Sequence, residues 1–278
     1  MEKSHEIRPG QSLELLKELH ILTRDGRMNQ DSRRKLKQVY HLYRFIEPLL
    51  QERQQTSPDI QLVDIGAGKS YLGFILYDLF FKGLNGGAHI YGIEARHELV
   101  EKSRALASRL GFPGMSFLDK TVADAQAAPE LPARIDIVTA LHACDTATDD
   151  AIRFALARQA AFIVLAPCCQ AEVAAHLRKS KGKALTNPLT ELWRHPLHTR
   201  EFGSQVTNVL RCLQLEAHGY QVSVTELVGW EHSMKNELII ARHNGQPGKH
   251  HAARLHELLN LLGLEEMRQR FFTPQFLP

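Results

Sequence analysis

The sequence predicts an α/β protein with a doubly wound, mostly parallel sheet of seven strands, one of them antiparallel. From residue 58 to about residue 220, short apolar runs alternate with segments whose apolar residues recur at helical spacing. The last two runs, residues 221–228 and 237–242, follow each other with no helix between them, which is typical of an antiparallel hairpin. In such a sheet, ligands bind beyond the carboxyl ends of the strands, so the residues after each strand are the candidates for a site.

The elements are predicted in chain order from these patterns. Residues 11–22 and 31–54 form two helices ahead of the sheet, because their apolar residues recur at helical spacing. The alternating elements that follow are strand 60–65, helix 71–81, strand 89–94, helix 97–112, strands 115–118 and 135–143, helix 149–160, strand 161–167 and helices 171–179 and 203–219. The predicted organisation is an N-terminal helical extension (1–57), a sheet domain (58–243) and a C-terminal helical appendage (244–278).

The composition is that of an ordinary globular protein. The 278 residues include 44% hydrophobic and 23% charged residues with a net charge of +3, which excludes a disordered or collagen-like chain. Two of the four cysteines are adjacent, which suits reduced thiols and a cytoplasmic protein better than a disulfide framework. No signal peptide and no apolar run of about 18 residues is found, so no membrane association is expected.

A glycine turn follows the first strand, in the run Val63-Asp64-Ile65-Gly66-Ala67-Gly68-Lys69-Ser70. Glycines here let the backbone turn tightly and approach a ligand, and the next helix offers free N–H groups to it. The dinucleotide pattern GxGxxG needs glycine where Tyr71 stands, and the phosphate-binding P-loop needs glycine at Val63. A purely structural glycine turn is the alternative.

Glu94 ends the second predicted strand, where a carboxylate can accept both hydroxyls of a ribose. Together with the glycine turn and the terminal hairpin, it makes the sequence resemble the class I S-adenosylmethionine-dependent methyltransferases. The resemblance implies S-adenosylmethionine as cofactor, with Glu94 on its ribose. It further implies the following placement: Asp64, Gly66, Gly68 and Ser70 at the methionine part, Thr121 and Val122 at the adenine, and Leu141 and His142 near the sulfonium.

Two further motifs narrow the resemblance. LHACD (141–145) and PCC (167–169) follow adjacent predicted strands, and RMNQDSRRKLKQV (27–39) and WEHSMKNELIIA (230–241) flank them. From about residue 24 to 243 the chain resembles a bacterial group of methyltransferase-domain proteins related to a eukaryotic tRNA 2′-O-methyltransferase family. That resemblance implies a methyltransferase and leaves the methyl acceptor open.

Three residues of these motifs are catalytic candidates. The carboxylate of Asp145 can orient or deprotonate an acceptor, although Asp is also a favoured helix N-cap. Cys168 and Cys169 can supply a thiolate nucleophile, as in the cytosine C5 methyltransferases, or simply line the pocket as small apolar side chains. A zinc site with His142 and Cys144 is a further possibility, but adjacent cysteines suit one tetrahedral ion poorly, so no metal is predicted.

Basic residues are concentrated in two segments. Residues 24–37 hold six basic and two acidic residues, and residues 178–200 hold six basic and one acidic residue, which leaves the remaining chain acidic. Such segments fit a nucleic-acid backbone, and the first can act as a lid over the cofactor edge or as a docking arm. Trp193 and Trp230 can stack on a base or serve packing. The predicted substrate-binding residues are Arg33, Arg34, Lys37, Lys181 and Lys183 in these segments, and Glu231, Lys235 and Asn236 in the hairpin loop.

The predicted function is methyl transfer from S-adenosylmethionine to RNA, at a ribose hydroxyl or a base nitrogen. A small-molecule or protein acceptor, cysteine-dependent cytosine C5 methylation and a non-catalytic RNA-binding or assembly factor are the alternatives.

Overall fold

A computed structural model describes residues 7–84, 86–141, 143, 145–167, 170–179, 188–227, 237–246 and 248–272. Its centre is a seven-stranded sheet, and this confirms the predicted doubly wound α/β architecture. The strands are β1 Gln61–Ile65, β2 His89–Glu94, β3 Met115–Asp119, β4 Ile137–Ala140, β5 Phe162–Leu165, β6 Tyr220–Glu226 and β7 Glu237–His243.

The strand order is β3-β2-β1-β4-β5-β7-β6, and β7 runs antiparallel to both of its neighbours. The chain moves outward from β1 to β3 on one side and from β4 on the other, so the topological switch point lies between β1 and β4. Strands β1, β4 and β5 are almost completely buried, which explains their continuous apolar sequences.

Helices cover both faces of the sheet. The helices are α1 Leu13–Glu18, α2 Gln30–Thr56, α3 Tyr71–Leu79, α4 His97–Leu110, α5 Val122–Ala125, α6 Thr146–Ala157, α7 Glu172–Lys179, α8 Pro196–Ala217, α9 Lys249–Leu261 and α10 Arg268–Phe271. Apolar residues of α1 to α4 pack on one face, and residues of α5, α6 and α8 pack on the other. Within the described residues, each helix is too short or too polar to cross a lipid bilayer.

The helices ahead of the sheet are anchored at its amino-terminal edge. Arg53, near the end of α2, binds the buried carboxylate of Asp136, which directly precedes β4, with 2.7 Å between Nε and Oδ1. Ser12 caps α1 through its side chain, and its backbone N–H donates to Asp78 near the end of α3. Because α3 runs from the glycine turn back towards the start of β2, α1 lies beside the end of α3 that is far from the turn.

The C-terminal helices form a second apolar cluster on the outer side of α8. Leu255 and Leu259 of α9 and Phe271 of α10 are buried there against Leu210 and Leu213 of α8. The half-buried ion pair between Arg270 and Glu172 of α7 connects the same region to the rest of the molecule. Helix α8 thus separates the sheet from the C-terminal appendage.

Candidate active site

The glycine turn lies at the switch point, between the ends of β2 and β4. Gly66 and Gly68 have φ angles of +64° and +59°, a region in which glycine is favoured because it has no Cβ. A Cβ on Gly66 would approach the backbone of Ala143 to 3.4 Å, so the turn and the loop after β4 are in close contact. Ser70, which precedes α3, also has a positive φ, and its buried Oγ has no hydrogen-bond partner in the described part of the chain.

Asp64 is buried one residue before the end of β1. Its Oδ1 accepts a hydrogen bond of 2.7 Å from the hydroxyl of Thr139 on the neighbouring strand β4. Burial raises the pKa of this carboxyl to about 7, although the Thr139 hydrogen bond acts in the opposite direction. The carboxyl therefore changes protonation near neutral pH, next to the glycine turn.

Glu94 ends β2 with its carboxylate turned towards the glycine turn. Its Oε2 accepts the backbone N–H of Gly68 at 2.8 Å, and its Oε1 accepts Nε of Arg96, also at 2.8 Å. Burial raises the pKa of Glu94, but the hydrogen bonds from Arg96 and Gly68 outweigh it and hold the pKa below its usual range. The carboxylate is thus ionised at neutral pH and ready to accept hydrogen bonds.

Thr121 and Val122 follow β3, where they begin the short helix α5. Thr121 is exposed and caps α5, since its hydroxyl oxygen accepts the backbone N–H of Asp124. Val122 is half-buried against the core on the α6 face. Their predicted contact with adenine stays a prediction, and the structure adds a local role for each.

Asp145 links the loop after β4 to the loop after β5. Its Oδ1 accepts the backbone N–H of Ala171 at 3.0 Å, and it makes no side-chain cap on α6. Its backbone has φ +51° and ψ −123°, a conformation favourable to glycine and strained for other residues. On the same loop Leu141 is buried in the core, on the face covered by α1 to α4. Asp145 therefore lies at the carboxyl-terminal edge of the sheet, where its side chain joins the loops after β4 and β5.

Part of the predicted site lies outside the described residues. This applies to His142, Cys144, Cys168, Cys169, Lys181, Lys183, Trp230, Glu231, Lys235 and Asn236. Among the described residues, no three His, Cys, Asp or Glu side chains gather as a metal site. Cys212 packs against the core, where burial raises its pKa to about 12. Trp193 is buried and stacked on Phe202, so packing is its role and base stacking is excluded.

The first basic segment lies along the exposed side of α2. Arg33, Arg34 and Lys37 are exposed, and Arg34 pairs at 3.8 Å with Asp31. Lys35 also binds Asp31 and donates to the carbonyl of His20, just after α1. The described contacts therefore hold this segment next to α1, beside the end of α3 that is far from the glycine turn.

Three residues of the site were not predicted from the sequence. Thr139, Arg96 and Arg211 hold Asp64, Glu94 and the backbone of Asp145, respectively. A signal existed for Arg211, because an arginine among the apolar residues of an amphipathic helix requires a buried acidic partner. That partner, Asp149, is 62 positions away, a distance at which sequence spacing predicts no contact.

The strand order, the switch point between β1 and β4 and the contact between the glycine turn and Glu94 are those of a domain that binds a nucleoside cofactor. The domain is of the class I methyltransferase type. The family model described as "Methyltransferase domain" matches residues 34–176, just over half of the chain. The protein therefore belongs to this methyltransferase-domain family. A comparison with curated proteins found no match to the chain.

Solved structures agree with the fold. A Klebsiella pneumoniae protein assigned as an O-methyltransferase superposes with a TM-score of 0.51 at 11% identity, over 86% of this chain and 93% of that one. Magnesium protoporphyrin IX methyltransferase from Synechocystis PCC 6803, with bound S-adenosylhomocysteine, gives a TM-score of 0.46 at 13% identity, over 83% and 93% of the two chains. At 11% identity, the likeness to the Klebsiella pneumoniae protein shows the fold alone.

The protein is a methyltransferase, and S-adenosylmethionine is the methyl donor of its family. The residues present fit that cofactor. Gly66 and Gly68 have positive φ angles and no Cβ, so a ligand can approach the backbone of the turn closely, and Glu94 offers an ionised carboxylate at the end of β2. The buried hydroxyl of Ser70, beside Gly73 of α3, has no hydrogen-bond partner among the described residues. When bound, the cofactor supplies a methyl group activated by its sulfonium charge.

Proposed function

We propose that this protein transfers a methyl group from S-adenosylmethionine to RNA, at a ribose hydroxyl or a base nitrogen. Glu94 accepts the ribose hydroxyls, and the turn from Gly66 to Gly68 receives the methionine part, with Asp64 beneath it. The support for this arrangement is the single edge at which the turn, Glu94 and Asp145 meet, because cofactor and acceptor have to meet there too.

Asp145 is the proposed orienting group for the acceptor. One oxygen of its carboxylate accepts the Ala171 N–H, and the other makes no hydrogen bond within the described part of the chain. That second oxygen can accept the proton-bearing group of an acceptor and hold it for in-line attack on the methyl carbon. The catalytic contribution of the protein is then mainly positioning.

The observation that supports RNA is an unpaired basic face on α2. Arg33, Lys37 and Arg44 are exposed, and none has an ion-pair partner among the described residues. Their spacing of four and seven residues places them on one side of the helix, over about 16 Å. Basic residues in a row without internal partners are suited to a nucleic-acid backbone, whose binding releases counterions.

The position of this face favours a large acceptor. The face belongs to the half of α2 that contacts residues 8–22, and those residues lie at the amino-terminal edge of the sheet. The acceptor reacts at the opposite edge, and a five-residue strand alone spans about 17 Å. A small molecule cannot touch both regions, whereas a structured RNA can.

The experiment that tests the acceptor is mass spectrometry of modified nucleosides in total RNA from a deletion strain, with the complemented strain as control. The proposal expects the loss of one methylated nucleoside, and its restoration by complementation. Loss of 5-methylcytidine would instead support the cysteine-dependent route, which the Cys168→Ser and Cys169→Ser variants would then test. An unchanged nucleoside profile would contradict the RNA proposal and direct the search to small-molecule and protein acceptors.

A second experiment tests the basic face directly. Arg33→Ala combined with Lys37→Ala should weaken RNA binding and lower the slope of log affinity against log salt by about two. Lys102→Ala combined with Arg254→Ala removes the same charge from exposed positions on α4 and α9 and is the matched control. Equal losses in the two double variants would show that net charge, and not this face, carries the binding.

A further inference from the structure

The loop after β4 is held by a polar network beneath it, and the centre of that network is Arg211 of α8. Arg211 is fully buried, and its guanidinium binds the carboxylate of Asp149 through Nε at 2.7 Å and a terminal nitrogen at 3.0 Å. The same terminal nitrogen donates to the backbone carbonyl of Asp145 at 2.9 Å. One side chain thus joins α8, α6 and the loop that faces the glycine turn.

The network continues to the loop after β5 and to the start of β7. Asn208, one turn before Arg211, accepts a hydrogen bond of 2.6 Å from Gln170 and donates to Glu237. The side-chain oxygen of Gln170 also accepts a hydrogen bond from the hydroxyl of Ser204. Three residues on one side of α8 therefore contact the segments that follow β4 and β5 and the first residue of β7.

Helix α8 is itself fixed at this position. A Cβ on Gly203 would come within 2.8 Å of the backbone of Ala174 in α7, so the two helices are in direct backbone contact there. Buried polar networks with every member satisfied hold their elements in one arrangement. The side chains that leave α8 towards the loops therefore start from a rigid base.

The residue that receives the Arg211 hydrogen bond is the strained one. Asp145 has the φ and ψ of the first central residue of a type II′ turn, a position dominated by glycine. Strained conformations of this kind persist only where the surroundings enforce them. The guanidinium of Arg211 donates to the backbone carbonyl of Asp145, and the backbone N–H of Ala171 donates to its carboxylate. These two hydrogen bonds stabilise the strained conformation.

The strained loop in turn contacts the cofactor turn. Ala143 lies two residues before Asp145, and a Cβ on Gly66 would meet its backbone at 3.4 Å. Thr148 fixes the same stretch by donating its hydroxyl hydrogen bond to the carbonyl of Ala143 at 2.5 Å. A relaxation of Asp145 would therefore move Ala143 against Gly66.

We infer that Arg211 is a positioning residue for methyl transfer: by enforcing the strained backbone of Asp145 it keeps the loop after β4 in the shape that the cofactor site requires. Arg211 touches neither cofactor nor acceptor. It acts through Asp145 on the glycine turn, and its loss lowers cofactor affinity. This inference rests on the cofactor site proposed above, and its test separates the two.

The test measures S-adenosylhomocysteine affinity by calorimetry for Arg211→Lys. A lysine retains the charge beside Asp149 but lacks the planar fork that reaches Asp149 and Asp145 together, so the dissociation constant should rise about tenfold or more. Arg53→Lys is the matched control, because Arg53 also binds a buried aspartate, Asp136, but at the opposite edge of the sheet. Its dissociation constant should change less than about twofold.

A background with Asp145→Gly distinguishes positioning from a general loss of stability. Glycine adopts the φ and ψ of this position without strain, so no contact is needed to hold it there. In the Asp145→Gly background, Arg211→Lys should therefore raise the dissociation constant by less than about threefold. An equal effect of Arg211→Lys with and without Asp145→Gly would overturn the inference, as would unchanged affinity in Arg211→Lys. If Arg211→Lys does not fold, Arg211→Met with Asp149→Asn removes both charges together and takes its place. Absence of binding by the wild-type protein would contradict the cofactor site itself.

Discussion

Asp64→Asn is expected to stabilise the protein, and increasingly so as the pH rises from 5 to 7. In the folded protein burial raises the pKa of Asp64 from 3.8 to about 7, so the folded state retains a proton that the unfolded chain has lost. The free energy of unfolding therefore falls as the pH rises through this range, and it levels off above the folded pKa. Asparagine has no proton to lose, and its side-chain oxygen still accepts the hydrogen bond of Thr139.

The magnitude follows from the two pKa values. A raised pKa of about three units corresponds to about 4 kcal/mol of lost stability once the pH exceeds 7, at about 1.4 kcal/mol for each unit. No allowance for solvent screening is needed, because the Asp64 carboxyl is buried. Between pH 5 and pH 7 the difference in unfolding free energy between Asp64→Asn and wild type should grow by about 2–3 kcal/mol.

The assay is urea denaturation of both proteins at half-unit steps from pH 5 to pH 8. The difference between the two curves is the useful quantity, since half-buried histidines such as His89 and His218 titrate in both proteins and their contributions cancel. Parallel stability curves across this range would refute the reasoning. A difference that shrinks with rising pH would refute it more strongly, because its sign would be wrong.

Three further predictions concern the site and its support. Glu94→Gln should weaken S-adenosylhomocysteine binding about tenfold in calorimetry, because an amide accepts the ribose hydroxyls less strongly than a carboxylate does; unchanged affinity would remove its ribose role. Cofactor affinity should rise with pH between 6 and 7, since the cofactor's ammonium group favours the ionised form of Asp64, and Asp64→Asn should abolish this dependence. Gly203→Ala should lower the free energy of unfolding by about 1–3 kcal/mol, because its Cβ would approach the Ala174 backbone to 2.8 Å; Gly83→Ala, at an open position whose φ is not positive, separates this crowding from the loss of a glycine.

The central strands of the sheet were predictable because they are buried on both faces. The first strand was predicted at 60–65 and lies at Gln61–Ile65, and the second coincides with His89–Glu94. Helix α8 begins seven residues earlier than predicted, at Pro196, since proline in the first turn starts a helix in a stretch with few apolar residues. Helix α6 likewise begins at Thr146 rather than at residue 149.

The residues of the candidate site were predictable where their position next to a strand can be read from the local sequence. Gly66, Gly68 and Glu94 are recognisable because each stands directly after a strand, and the structure brings Gly68 and Glu94 into contact. The support of the site was not predictable, because it depends on contacts across the fold. Arg211 and Asp149 form their ion pair across 62 positions, and no local pattern predicts which acid a buried arginine meets.

The contacts of the basic segment depend in the same way on the whole fold. Its charge is visible in the sequence, but its position at the far end of α3 results from the packing of α1 against Asp78. The charge pattern alone left open where residues 24–37 lie relative to the cofactor edge of the sheet.

The central claim is that this chain binds S-adenosylmethionine at the turn between β1 and α3. Isothermal titration calorimetry of the full-length protein with S-adenosylhomocysteine tests it most directly. One molecule should bind per chain, and Gly66→Ala should reduce the affinity, since a Cβ at φ +64° strains the turn. Absence of binding by the wild-type protein, or binding that Gly66→Ala leaves unchanged, would contradict the account.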